Sequence, residues 1–178
     1  MISFIVSVYD RPDFLNACLA SLSVQGPNEI LICANHTDPG MLVACGLIAD
    51  QYGLKVEKTG LAGCKTCYES ANMVAPQACG DWLCFPSDDS LYVCQFSGIM
   101  LETAVRTNAD LVYCDCIYRQ APEAGSWKPY AVLETQPKMG RIDKTCFILR
   151  RELFKGFPSH PRNWRDGALI EQVVCDGV

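Results

Sequence analysis

The sequence predicts an α/β protein, a three-layer α/β/α arrangement around a mostly parallel central sheet. Strand-like and helix-like stretches alternate along the chain, the order that builds parallel sheets with helices on both faces. The strand-like stretches are almost wholly apolar, as expected where both sheet faces are covered. The 178 residues suffice for one domain with a real core, and 49% hydrophobic and 20% charged residues are ordinary for such a chain. No internal repeat or domain boundary interrupts it, so residues 1–178 read as one domain.

The elements follow in order. "SFIVSVY" (3–9) is a β-rich apolar strand. Pro12 opens a helix whose apolar residues Phe14, Leu15, Cys18, Leu19 and Leu22 have helical spacing, and Gly26-Pro27-Asn28 ends it. "EILICA" (29–34) is a second strand. Asp38-Pro39 is a cap followed by a proline in the first turn, and that helix stops near Gly53. "LKVEK" (54–58) is a third, amphipathic strand. A helix runs over about 64–78, with Pro76 weakening its last turn. "DWLCFP" (81–86) is a fourth strand, about 93–107 a helix and "ADLVYCDCIY" (109–118) a fifth strand. Residues 119–140 are rich in Pro, Gly and charge without a period and read as loop. "KTCFILR" (144–150) is another strand, "RELFKGF" a helical turn ending at Gly156, and about 166–175 a final helix.

Composition excludes several roles. The net charge of −5 offers no basic field for nucleic acid or an anionic membrane. No apolar run is long enough to span a bilayer. "MISFIVSVYD" lacks a basic leader region and a cleavage site, so it reads as a strand and the chain as cytoplasmic, with the inner membrane surface as the alternative location. The twelve cysteines mostly sit within apolar runs such as "LICAN" and "DWLCF", where reduced, buried thiols are the better reading than a disulfide framework. Cys64-Lys65-Thr66-Cys67 and Cys114-Asp115-Cys116 allow a zinc or redox reading, but a redox pair belongs after the first strand and zinc needs four converging ligands.

Ligands of open α/β sheets bind at the carboxyl ends of the strands. That edge would carry Tyr9, Asp10 and Arg11, then Asn35, His36, Thr37 and Asp38, then Gly60, Gly63 and Lys65, then Ser87, Asp88 and Asp89. Each set alone is an ordinary turn; four together suggest a site. Adjacent carboxylates repel and lose solvation unless compensated, and a hard divalent cation, Mg²⁺ or Mn²⁺, is the natural compensation. If the strand continues, Asp88 and Asp89 point to opposite sides and only one binds metal directly.

These residues resemble a family 2 glycosyltransferase with the GT-A (nucleotide-diphospho-sugar transferase) fold. The resemblance covers about 2–118 and, more weakly, 141–174. Val8-Tyr9-Asp10-Arg11-Pro12 is similar to the family's strand followed by Thr-Tyr-Asn-Arg-Pro. Cys33-Ala34-Asn35-His36-Thr37 stands where Val-Asp-Asp-Gly-Ser is usual, with Ala34 replacing the first acid. Asn72 lies eight residues before Gly80-Asp81, the family's spacing. Ser87-Asp88-Asp89 corresponds to the Asp-x-Asp metal motif with Ser87 in place of its first acid. Asp166 in "NWRDGALIEQ" falls on the catalytic base of a Glu-Asp pair, and Arg165 replaces the Glu.

The resemblance implies sugar transfer from a UDP- or GDP-sugar to an acceptor hydroxyl on a glycan, lipid or protein, inverting and dependent on Mn²⁺ or Mg²⁺. Asp89 is the implied metal ligand, with Ser87 or Asp88 auxiliary. Tyr9, Asp10, Arg11, Asn35, Lys65, Asn72 and Asp88 would hold the donor. Asp166 would be the base, although its residue type before an apolar helix also fits a cap. Trp164 and Arg165 would meet the acceptor. Residues 1–118 would form the nucleotide-sugar half and 119–178 a shortened acceptor half, whose exposed apolar face would favour a homodimer. A catalytically inert nucleotide-binding domain and a nucleotidyltransferase are the alternatives.

Overall fold

In the computed structural model residues 1–8, 11–34, 38–54, 56–58, 66–119, 130–159 and 165–175 are described. β1 (Ile2–Val8) is buried along its whole length and lies inside a six-stranded sheet. Its neighbours are β2 (Glu29–Ala34) and β4 (Trp82–Cys84), both parallel to it, and β3 (Val56–Lys58) extends the sheet beyond β2. β8 (Phe147–Arg150) then runs antiparallel between β4 and β5 (Leu111–Tyr113). The order is therefore β3-β2-β1-β4-β8-β5, and β8 is the one antiparallel member of this sheet. A strand from the predicted acceptor half is thus inserted into the sheet of the predicted donor half.

Helices cover both faces. α1 (Pro12–Ser23), α2 (Pro39–Gln51) and α4 (Phe96–Thr107) pack on one, where Leu15, Leu19, Cys45, Ala49 and Met100 meet Phe4, Val6 and Ile32. α3 (Cys67–Val74) and α5 (Arg165–Cys175) pack on the other, where Ala71, Val74, Leu169 and Ile170 meet Ile5, Leu83 and Phe147. The period-two alternation of β1 thus faces two separate cores, which is why it is buried throughout and apolar except at Ser3 and Ser7. Asp38 caps α2 by accepting from the Gly40 N–H at 2.8 Å, as its sequence predicts.

Gly80 shows why a small residue precedes β4. A Cβ there would lie 2.5 Å from Ser3 Oγ and 2.9 Å from Met1 O. The Gly80 N–H donates to that Ser3 hydroxyl, which in turn donates to Glu29. The start of β4 is thereby locked against β1 and β2.

Four expectations are corrected. The run 109–118 is not one strand: β5 ends at Tyr113, and β6 (Cys116–Arg119) leaves the main sheet to pair with β7 (Tyr130–Leu133). Residues 119–140, read as loop, therefore contain a strand; the surrounding Pro, Gly and charge hid it, because its partner in a two-stranded ribbon is set by tertiary pairing. The helix expected over 64–78 is α3 followed by a 3₁₀ turn, Ala75–Gln77, that absorbs Pro76. In place of the strand start expected at 144, Lys144–Cys146 forms a 3₁₀ turn capped by Asp143.

Candidate active site

Past Cys84 the chain does not continue as a regular strand. The Ser7 N–H donates to Pro86 O at 2.9 Å and the Asp88 N–H donates to Ser7 O at 3.0 Å, so the segment stays zipped to the carboxyl end of β1. It then turns at Asp88 and Asp89. The turn removes the expected divergence of the two acids. Both reach one guanidinium: Arg11 Nη2 donates to Asp88 Oδ1 at 2.5 Å and Nη1 donates to Asp89 Oδ2 at 2.7 Å. Asp88 is 1% exposed, whereas Asp89 and Arg11 are 44% and 41% exposed. Burial opposes the charge on Arg11, but the two carboxylates outweigh it and raise its affinity for the proton. The compensation expected from a cation is thus supplied here by a side chain. Arg11 is placed by the entry to α1, directly before Pro12.

Asp166 lies in the first turn of α5, on the α3 side of the sheet. Its Oδ2 accepts from the Lys144 main-chain N–H at 3.2 Å, so its hydrogen bond serves another segment rather than capping its own helix. Among the described residues its Oδ1 is buried without a hydrogen-bond partner. Burial pushes this carboxyl up to about 6; Asp143 pushes the same way, and the nearby Tyr68 hydroxyl and Lys144 oppose. The Tyr68 phenol is itself pushed well up, chiefly by burial and then by the charge of Asp166. A carboxyl pushed towards neutrality that keeps an unpaired acceptor oxygen has the proton affinity that taking a proton from a hydroxyl requires. Gly167 lets α5 come this close: a Cβ there would lie 2.2 Å from Met139 Cα.

Lys144, which the sequence reading did not single out, joins the two parts. Its side chain is buried and its Nζ donates to Phe85 O at 2.9 Å, just ahead of Ser87. Its signal in the sequence was the neighbouring Asp143, a turn cap that brings residue 144 inward. Arg165 is half-buried. It donates to Thr66 Oγ1 at 2.9 Å, pairs with Glu69 at 3.5 Å and sits 5.4 Å from the centre of the Tyr68 ring.

Other predicted residues fall elsewhere. The Asn72 amide clamps one backbone position, donating to Phe157 O at 3.1 Å and accepting from the Phe157 N–H at 2.7 Å. It borders a cavity of about 360 Å³ lined also by Leu83, Arg151, Phe154 and Lys155. Tyr9, Asp10, Asn35, His36, Lys65 and Trp164 lie outside the described residues, as does Cys64 of the CxxC. Every described cysteine is a free thiol; Cys18 and Cys84 are pushed up to about 12 by burial, which suits inert core thiols.

The carboxylates of Asp88 and Asp89 have the oxygen chemistry that Mn²⁺ or Mg²⁺ prefers. As arranged they do not fit a divalent ion, because Arg11 bridges both. Among the described residues no group of three His, Cys, Asp or Glu side chains could hold a metal.

No family model and no curated protein sequence matches the chain. Solved structures do. Pyrobaculum calidifontis mannosyltransferase PcManGT, in complex with GDP-Man and Mn²⁺, superposes with a TM-score of 0.71 at 17% identity, over 99% of this chain and 52% of that one. Staphylococcus aureus TarS 1–349 gives 0.66 at 17% identity, over 97% of this chain and 54% of that one; TarS structures with UDP and UDP-GlcNAc also match. A CMP:2-keto-3-deoxy-manno-octonic acid synthetase complexed with CTP gives 0.57 at 10% identity, over 98% of this chain and 85% of that one. The fold is therefore the GT-A fold of nucleotide-sugar transferases. The chain spans about half the length of the glycosyltransferases it matches. No helix among the described residues is long and apolar enough to cross a membrane.

Proposed function

We propose that the chain is the donor-binding and catalytic portion of a glycosyltransferase that moves a sugar from a UDP- or GDP-sugar to an acceptor hydroxyl. The observation that carries this reading is a buried carboxylate with an unpaired oxygen, Asp166, tied through Lys144 to the segment that leads to the charged strand end at Arg11, Asp88 and Asp89, in a GT-A fold. PcManGT in complex with GDP-Man and TarS in complex with UDP-GlcNAc support a nucleotide-sugar donor.

The chemistry follows from the side chains. Asp166 Oδ1 accepts the proton of the acceptor hydroxyl as the oxygen attacks the anomeric carbon. The bond to the diphosphate oxygen breaks with its electron pair, so a single attack inverts the configuration. Arg11 uses two of its five N–H groups on Asp88 and Asp89 and keeps donors to offer a phosphate. A divalent ion, where bound, would add electrostatic stabilisation of the leaving diphosphate; Asp89 and Asp88 would hold it only once Arg11 has released them.

Three measurements test the reading. Calorimetric titration with UDP- and GDP-sugars, with and without Mn²⁺, is expected to give binding of one nucleotide; absence of binding to all of them sinks the proposal in favour of an inert domain. Asp166→Asn is expected to abolish transfer, by at least about 10²-fold, while keeping donor affinity. Wild-type transfer is expected to fall as pH drops below about 6, where the carboxyl takes up its proton. The synthetase match favours nucleotidyl transfer as the second reading; release of pyrophosphate from CTP with a sugar acid would select it.

A further inference from the structure

We propose that Lys144 is a positioning residue for Asp166: a fixed internal cation that ties the base to the end of β4 and supplies the counter-charge that keeps it a carboxylate. The inference rests on Asp166 being the base. Lys144 uses both of its donors across the site, the main-chain N–H on Asp166 Oδ2 and the side-chain ammonium on Phe85 O. One residue therefore sets the spacing between the open oxygen of Asp166 and the segment that leads to Asp88 and Asp89.

A lysine that is 4% exposed is costly to bury, and a single backbone carbonyl does not repay an ammonium. The acids beside it are Asp166, whose Oδ2 accepts its main-chain N–H, and the adjacent Asp143. The groups facing Asp166 are Asp143 and Lys144 from the turn before β8, Tyr68 from α3, and its own neighbour Arg165, whose guanidinium is already turned to Thr66 and Glu69. Of these, Asp143 disfavours the carboxylate, while Lys144 and the Tyr68 hydroxyl favour it. Lys144 also favours ionisation of the Cys18, Cys33, Cys67 and Cys84 thiols, which places its charge centrally beneath the strand ends. Arg165 is turned to Thr66 and Glu69, so among the described residues Lys144 is the cation that acts on Asp166.

The test uses the free protein, so it does not depend on any donor. Carboxyl ¹³C NMR, with the Asp166 signal identified by its loss in Asp166→Asn, gives the titration midpoint of Asp166. Lys144→Met is expected to raise that midpoint by about one unit, and to move the acid limb of kcat/KM upward by the same amount. Lys144→Arg is expected to restore part of the shift. In wild-type protein the Lys144 side-chain signal should step at the Asp166 midpoint, a readout that needs no variant to fold. A folded Lys144→Met protein with an unmoved Asp166 midpoint, or a Lys144 signal that ignores the Asp166 titration, overturns the proposal. Absence of sugar transfer by wild-type protein would instead remove the proposed function and leave the charge coupling to be judged by the titration alone.

Discussion

At the residue scale, the two adjacent acids after β4 stand out in the sequence, and the structure sets one guanidinium against both of them. Asp88 and Asp89 were legible as an anomaly, since an apolar strand seldom ends in a carboxylate pair. Their partner was not legible, because Arg11 lies 77 and 78 positions away and meets them only through the parallel pairing of β1 with β4. The turn at Asp88 was also invisible, and it brings both carboxylates to one guanidinium rather than to opposite faces. A hard cation and Arg11 must therefore compete for the same oxygens. Arg11→Ala is expected to raise the affinity for Mn²⁺ measured without nucleotide several-fold, by electron paramagnetic resonance of free Mn²⁺, and to lower stability by about 1–2 kcal/mol through loss of a charge-assisted bond to buried Asp88. Unchanged Mn²⁺ affinity would show that the carboxylates are not the metal's ligands.

At the element scale, helices and long strands were easy to read because their apolar period is strong, and α1, β2 and α5 fall where spacing and caps put them. The short pieces were not. β5 and β6 merge into one apolar run, and only tertiary pairing decides that the chain switches sheets near Cys114. Lys144 was missed for a related reason: a lysine beside an aspartate reads as surface until the 3₁₀ turn rotates it inward. The placement of α5 depends on a contact with no sequence period at all. A methyl group on Gly167 would run into the Met139 backbone, at 2.2 Å from Cα and 2.9 Å from N. Gly167→Ala is therefore expected to push α5 away from this segment, cost about 1–3 kcal/mol in chemical denaturation, and reduce transfer by displacing Asp166. Wild-type stability and turnover in this variant would mean the helix is not seated by that contact.

At the scale of the whole molecule, the buried acid couples function to global stability. The folded-state affinity of Asp166 for its proton is raised to about 6 from an ordinary carboxyl value of 3.8. Between those limits the folded state binds more protons than the unfolded chain, so this residue's contribution to stability falls as pH rises from about 4 to about 6, and the loss of about 2–3 kcal/mol is complete above that window. Asp166→Asn removes the penalty while its side-chain oxygen can still accept from the Lys144 N–H. The variant is expected to melt higher than wild type at pH 7.5, with the advantage shrinking towards pH 4. A pH-independent difference in melting temperature would contradict an ionised, buried Asp166.

The insertion of β8 between β4 and β5 has a consequence for how the protein is made. On the ribosome, β4 and β5 are complete by residue 113, yet the strand that separates and joins them ends only at Arg150. For that interval of synthesis the nascent chain carries two open strand edges of apolar character, the kind of surface that pairs with other chains or is sheltered by chaperones. The same insertion means that a strand from the last third of the polypeptide fills the place beside the edge strand β5, bringing Lys144 into position in the same step. Lys144 thus reaches its place as the sheet is completed, and Asp166 follows only with α5, so a chain released before that point has neither.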